Sequence, residues 1–259
     1  MTDEQRFGGI RRLYGDAAYH AFSQAHVCVV GIGGVGSWAA EALARSGVGK
    51  ITLIDMDDIC ITNINRQIHA LDGNIGKAKV DVMAQRITLI NPDCDISVIE
   101  DFVTPENLSE LLAEQFDYII DCVDSIKPKA ALVAWCKRNN RRVITIGGAG
   151  GQTDPTKIQT GDLAKTVGDP LAANLRNFLR RYYNFSRNVK RRFDIECVYS
   201  IEQLNYPQGD GTVSKQRLKG GTDTKMGCDT GFGASTAVTA TFGFVAVSKV
   251  LEKLAKASE

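Results

Sequence analysis

Apolar residues along this chain fall into short continuous runs separated by longer amphipathic stretches. The runs are "HVCVV" (26–30), "KITLID" (50–55), "DISVIE" (95–100), "FDYIID" (116–121) and "RVITIG" (142–147). Each is short and rich in Val and Ile, which predicts a buried strand. The stretches at about 36–46, 77–90, 105–114 and 127–139 have helical composition and predict helices. Strands separated by helices pair in parallel through right-handed crossovers. The expected fold is therefore α/β, a doubly wound, mainly parallel sheet of Rossmann type. After Gly147 the rhythm breaks. Strands are predicted near 157–164 and 194–201, and a long final helix near 232–256. No repeat or low-complexity linker intervenes, so this mixed C-terminal extension is expected to pack on the same sheet.

Composition adds one asymmetry. Of 259 residues, 44% are hydrophobic and 24% charged, as in an ordinary globular chain. The formal net charge is +1. However, the segment Arg176–Arg192 holds seven basic residues and no acid: Arg176, Arg180, Arg181, Arg187, Lys190, Arg191 and Arg192. Without them 24 basic residues face 30 acidic ones, a balance of −6. The positive charge is local. Seven scattered cysteines with no C-x-x-C pair argue for reduced thiols in the cytoplasm and against a structural zinc site. The apolar stretch 232–247 contains four Ser or Thr residues and is short for a membrane span. A buried or interface helix is expected there, with membrane association as the alternative.

Candidate chemistry begins at "GIGGVG" (Gly31–Gly36), a G-x-G-x-x-G turn between the first strand and first helix of this series. Such glycines let a phosphate approach the backbone, and the helix directs its positive end at the anion. Asp55 ends the next strand, where an acid accepts hydrogen bonds from a ribose hydroxyl. ATP and NAD share that ribose, so these features alone leave both open. Further residues discriminate. "IDMDDICITNINRQ" places Asp57, Asn63, Asn65, Arg66 and Gln67 past the second strand; "GKAKV" adds Lys77 and Lys79; "IIDCVDS" puts Asp124 past the fourth strand. All are expected at strand carboxyl ends. Cations there would neutralise charge on a leaving pyrophosphate, and a carboxylate can hold magnesium. The joint placement indicates ATP.

In that order, "GIGGVGS", "LIDMD", "NINRQ", "GKAKV" and "DCVDS" resemble the ubiquitin-activating-like adenylyltransferases, including the activators of the molybdopterin and thiamine sulfur carriers. The resemblance implies that Gly33 and Gly34 lie against the phosphates and that Asp55 binds ribose. It also implies that Asn65, Arg66 and Lys79 contact the phosphates, that Asp124 helps hold Mg2+, and that the protein is a homodimer. Asp57 is counted with the ATP-binding set, and Arg66, Lys79 and Asp124 with the catalytic one. Two departures stand out. The paired zinc-binding C-x-x-C elements of the sulfur-carrier enzymes are missing. The family's R-[YF]-x-R-Q element, whose second arginine acts across the dimer, keeps Arg6 and Phe7 but has Gly9 at the second arginine, leaving Arg11 or Arg12 as substitutes.

The second half narrows the branch. "GGAGGQTDPTKIQTGDLAKTVGDPL" (147–171), "YPQGDGTV" (206–213) and "GFGASTAVTATFGFVAVS" (231–248) resemble the tRNA threonylcarbamoyladenosine dehydratases. That branch implies ATP-dependent activation of a threonine carboxylate on a modified adenosine beside the anticodon, followed by cyclisation and release of AMP. Residues 1–150 would then form the adenylation region, and 151–259 the tRNA-binding and dimerisation region. The basic run, interleaved with Tyr182, Tyr183 and Phe185, would meet the tRNA. Cys228 in "KMGCDTG" either packs or accepts sulfur from a cysteine desulfurase partner. Three rival readings remain: an adenylyltransferase acting on the C-terminal Gly-Gly of a sulfur carrier, a nucleotide-binding subunit without catalysis, and an NAD oxidoreductase.

Overall fold

The computed structural model describes residues 3–216 and 232–257. Five parallel strands form the predicted series: β1 (His26–Val30), β2 (Lys50–Ile54), β3 (Asp95–Ile99), β4 (Tyr118–Asp121) and β5 (Val143–Ile146). The second half adds β6 (Ile158–Asp162) and β7 (Glu196–Ser200) to the same sheet, in the order β3-β2-β1-β4-β5-β7-β6. Strand β7 runs parallel to β5, and β6 is antiparallel to β7, pairing Ile158 with Ser200 and Asp162 with Glu196. The mixed extension therefore completes the sheet, as expected. A small hairpin, β8 (Tyr206–Pro207) with β9 (Val213–Ser214), stands apart.

Strand side chains alternate between two cores, which is why central strands read as unbroken apolar runs. Val27 and Val29 of β1 face one core, and Cys28 and Val30 face the other. Helices α3 (Gly36–Arg45), α4 (Lys79–Ile90) and α8 (Thr236–Lys256) cover the first face. The second face carries α5 (Leu108–Leu111), α6 (Ile126–Arg138) and α7 (Pro170–Tyr182). Val238, Phe242, Ala246, Val250 and Leu254 of α8 recur every fourth residue and are all buried. The apolar stretch at 232–247 thus places one helix face in the core, and the membrane alternative gains no support from it. No helix among the described residues is long and apolar enough to cross a membrane.

Three helices are absent from the sequence expectation. Helices α1 (Asp3–Tyr14) and α2 (Asp16–Gln24) precede β1, and α7 occupies the start of the basic run. The signal for α7 was present: Asp169 caps it, accepting from Ala172 N at 2.9 Å, and Pro170 stands in its first turn. The predicted helix at 105–114 shrinks to the single turn of α5.

Candidate active site

A cleft of about 550 Å³ opens where β1, β2, β4 and β5 end, lined by Val30, Ile54, Cys122 and Ile146 at those ends. The G-x-G-x-x-G turn forms one wall. Gly31 has φ +89°, and a Cβ on Gly36 would lie 1.8 Å from the Gly31 carbonyl oxygen, so both positions require glycine. At Gly33 and Gly34 an added Cβ would meet nothing closer than 3.4 Å, the nearest atoms being those of Arg66. That side of the turn is open to a ligand.

Both polar groups of the Ile32 peptide are fixed. Its N–H donates to Asp55 Oδ2 at 2.5 Å, and its carbonyl accepts from His69 Nε2 at 2.8 Å. That bond requires the proton on Nε2. Burial drives the His69 pKa down to about 4, so the imidazole stays neutral. Asp55 also accepts from Asp57 N at 2.8 Å. Burial raises its pKa, against the opposing pull of Lys79 and the two backbone donors. Asp55 thus shapes the turn in addition to facing the cleft, a duty its position in the sequence does not reveal.

Arg66 and Lys79, expected at the phosphates, both line the cleft with Asp57 and Asp124. Lys79 is buried at the start of α4 and bonds Asp57 Oδ2 at 2.7 Å. Arg66 is steadied by donating Nη1 to Thr62 O at 2.7 Å and to Asn65 Oδ1 at 2.9 Å. Its carbonyl accepts from Trp38 Nε1 at 3.0 Å and Thr239 Oγ1 at 3.4 Å. Asn65 sits beside Arg66. It is absent from the lining and instead grips Ala234 O through Nδ2 at 3.0 Å, because α8 begins directly beside it. Asp124 is exposed at the mouth, with no hydrogen bond or salt bridge to another described residue.

Beneath the tip of β4 lies an ion pair that sequence reasoning missed. Lys129 and Asp121, both fully buried, meet at 2.9 Å. Lys129 Nζ also donates to Val123 O at 2.8 Å, while Asp121 accepts from Thr145 Oγ1 at 2.6 Å. Removing one partner of such a pair strands a buried charge. Their eight-residue separation on different elements gave no local signal. The same holds for Trp38. Cys122 lines the cleft, but burial raises its thiol pKa far above the usual range, so it is a neutral thiol. Cys228 lies outside the described residues.

The basic run divides. Arg176 is half-buried and donates to Thr166 Oγ1, with Asp169 nearby. Its guanidinium is therefore engaged within the fold. Tyr183 and Phe185 are also half-buried, packed on Phe178 and Phe193. Only Tyr182 of the three aromatics is exposed. Arg181, Arg187, Lys190, Arg191 and Arg192 are exposed, and Arg180 lies over the Phe193 ring at 5.4 Å. Arg192 pairs with Asp162 at 3.4 Å, an acid from outside the run. This cationic group precedes β7, so it sits by the strand amino ends, away from the first cleft.

The ThiF family matches residues 9–258. The tRNA threonylcarbamoyladenosine dehydratase of Escherichia coli K12 is 58% identical over 250 residues, 96% of this chain and 93% of that protein. The E. coli enzyme of that name in complex with ATP superposes with a TM-score of 0.88 at 54% identity, covering 99% and 97% of the two chains. Its complex with AMP gives 0.88 and 54%, covering 100% and 98%. The E. coli sulfur carrier protein ThiS adenylyltransferase is 36% identical over 128 residues, 49% of this chain and 51% of that protein. The chain belongs to the ThiF family and, within it, to the tRNA threonylcarbamoyladenosine dehydratases.

Proposed function

We propose that this protein dehydrates threonylcarbamoyladenosine beside the tRNA anticodon to its cyclic form, with ATP as co-substrate. The observation that carries this reading is similarity to the dehydratases through both halves of the chain. Similarity to the sulfur-carrier adenylyltransferase spans half of it, which weakens that alternative.

A free carboxylate resists attack because its leaving group would be oxide. Attack of a threonine carboxylate oxygen on the α-phosphorus of ATP releases pyrophosphate and forms an acyl-adenylate. The ureido group of the same side chain then attacks the acyl carbon, loses its proton and expels AMP. Both reacting groups belong to one nucleoside, so the second step gains from proximity. Water is lost overall at the expense of ATP, and no protein nucleophile is needed.

In this assignment Gly33, Gly34 and the start of α3 receive the phosphates, and Asp55 accepts from ribose. Arg66 and Lys79 offset charge on the departing pyrophosphate. Asn65 positions Arg66 rather than touching ATP. The residues fit Mg2+: it needs one or two carboxylates beside phosphate oxygens and water, and Asp124 is a carboxylate with no salt bridge to a cation among the described residues. When bound, magnesium would supply charge neutralisation at the phosphates. Residues 1–150 carry this chemistry, while Arg180, Arg181, Arg187, Lys190, Arg191 and Arg192 in region 151–259 attract the tRNA backbone.

The protein acts in the cytoplasm as a homodimer. Arg11 is engaged with Glu4 and Asp16. Arg12, exposed on α1, is the better candidate to reach a partner's cleft in place of the arginine missing at Gly9.

Incubation with ATP and tRNA bearing the modified nucleoside, then nucleoside mass analysis, tests the reading. The expected product has lost one water, with AMP and pyrophosphate formed. An unchanged nucleoside, with AMP formed only when a small Gly-Gly-ending protein is supplied, would favour the sulfur-carrier reading.

A further inference from the structure

A second cleft, also about 550 Å³, opens at the opposite end of the sheet. Its walls include the first residues of β4, β5 and β7 (Tyr118, Val143 and Glu196) and the last of β6, Asp162. A strand of four or five residues, about 15 Å, separates the two clefts. Five cations line this one: Lys137, Arg141, Arg142, Arg192 and Lys253. Two of the three acids present are committed. Asp162 accepts from the backbone N–H of Ala164, Phe193 and Asp194 at 2.7–2.9 Å. Asp194 takes Lys137 at 3.3 Å and Arg192 at 3.8 Å. Glu196 makes no side-chain hydrogen bond or salt bridge to another described residue and acts on Lys249 and Tyr118 only at longer range, so five cations face one unpaired carboxylate.

The side chains of Arg141, Arg142 and Lys253 are left with no hydrogen bond or salt bridge to another described residue. Tyr118 is a second, independent feature. Its ring is packed in the fold, with 4% of the residue exposed, and the residue lines the cleft with no hydrogen-bond partner for its hydroxyl among the described residues. Burial pushes its pKa up to about 12, with Glu196 adding to the rise and Arg142 opposing it. The hydroxyl is therefore a standing donor. A phenol donor on the cleft wall without a protein acceptor is available to a ligand oxygen. Two adjacent guanidinium forks, an ammonium and a phenol donor match the oxygens of a phosphate group. The neighbouring exposed Arg187, Lys190 and Arg191 extend the positive face along the approach to β7.

We propose that this cleft binds phosphodiester groups of RNA, so that the tRNA substrate is held at the strand amino ends as well as at the adenylation cleft. This rests on the dehydratase reading only for the identity of the RNA. A stem approaching the amino end engages its backbone there, while the reacting nucleoside occupies the carboxyl-end cleft of the same or a second copy of the chain.

The test measures tRNA transcript binding by the full chain across a salt series, alongside ATP affinity. The R141A/R142A double variant should bind tRNA about tenfold or more weakly, with a log–log salt slope shallower by about one to two. ATP affinity should be unchanged. Lys253→Ala, at an exposed position of α8, and Tyr118→Phe, which keeps the ring, should shift tRNA binding in the same direction. Unchanged affinity and slope in the double variant and in Lys253→Ala would overturn the proposal. So would a double variant that loses affinity for inorganic phosphate or AMP while keeping tRNA affinity, since that marks a site for small free anions. If the wild-type chain binds tRNA normally but leaves its modified nucleoside unchanged, the dehydratase reading fails while this cleft stands.

Discussion

The two ends of the sheet hold their positive charge in different ways. At the carboxyl end Lys79 is tied to Asp57, and Arg66 to Thr62 and Asn65. At the amino end the side chains of Arg141, Arg142 and Lys253 lack hydrogen bonds and salt bridges to the described residues. Fixed cations suit a small ligand whose charge develops at defined atoms, because no reorganisation is needed when the pyrophosphate leaves. Untethered cations suit a polymer whose backbone can be met in several registers, where salt-dependent attraction dominates. Chemistry and capture thus occupy opposite ends of one sheet.

The sharpest way to break this contrast is to remove cations from each end in turn. Arg66→Ala and Lys79→Ala should each lower turnover at saturating tRNA by about two orders of magnitude or more, since one transition-state charge contact is worth about 3–4 kcal/mol. Asp124→Ala should act similarly and blunt the response to magnesium. Near wild-type turnover in all three would remove the carboxyl-end cleft from the chemistry.

A second consequence concerns how the carboxyl end is kept rigid. His69 has a folded pKa of about 4, below its unfolded value near 6.5. Between those values the unfolded chain binds more protons, so stability rises with pH across that window and is lost as pH falls from about 6.5 to 4. The loss amounts to about 3 kcal/mol. Denaturant titrations of His69→Gln, whose amide can still donate to Ile32, should show a flatter pH dependence over that range. An identical pH profile would mean that His69 does not titrate as its burial implies.

The smallest expected effect separates residues within the basic run. Reversing Arg180, Arg181, Arg191 and Arg192 to Glu should raise KM for tRNA by about tenfold or more and flatten its salt dependence. Arg176→Ala should leave tRNA affinity nearly unchanged and cost about 1 kcal/mol of stability, through the lost bond to Thr166. A large KM effect from Arg176 alone would restore it to the RNA-facing group.

Much of this organisation was legible in the sequence. Runs such as "HVCVV" mark central parallel strands because burial on both faces removes any polar alternation. The order of the glycine turn, Asp55, Arg66, Lys79 and Asp124 located the first cleft because each follows a strand end. What stayed hidden depends on contacts distant along the chain. Lys129 reads as an ordinary helix lysine until Asp121 is seen beneath it. The bond from the Asn65 amide to Ala234 at the start of α8 spans 169 residues and leaves no local trace. Arg176 reads as one more surface cation, although Ala172, Leu175 and Leu179 mark the buried face of α7 beside it. Of the second cleft only Arg192 stood out, in the basic run, since its other cations come from α6, α8 and a separate loop.

The central claim is that the threonine carboxylate is adenylated rather than phosphorylated. Transfer of label from a tRNA whose threonylcarbamoyl carboxylate carries oxygen-18 tests this directly. Attack on the α-phosphorus and expulsion of AMP should leave one labelled oxygen in the AMP phosphate of each turnover, with none in pyrophosphate. Label found in inorganic phosphate alongside ADP, or released only as water with unlabelled AMP, would contradict the account.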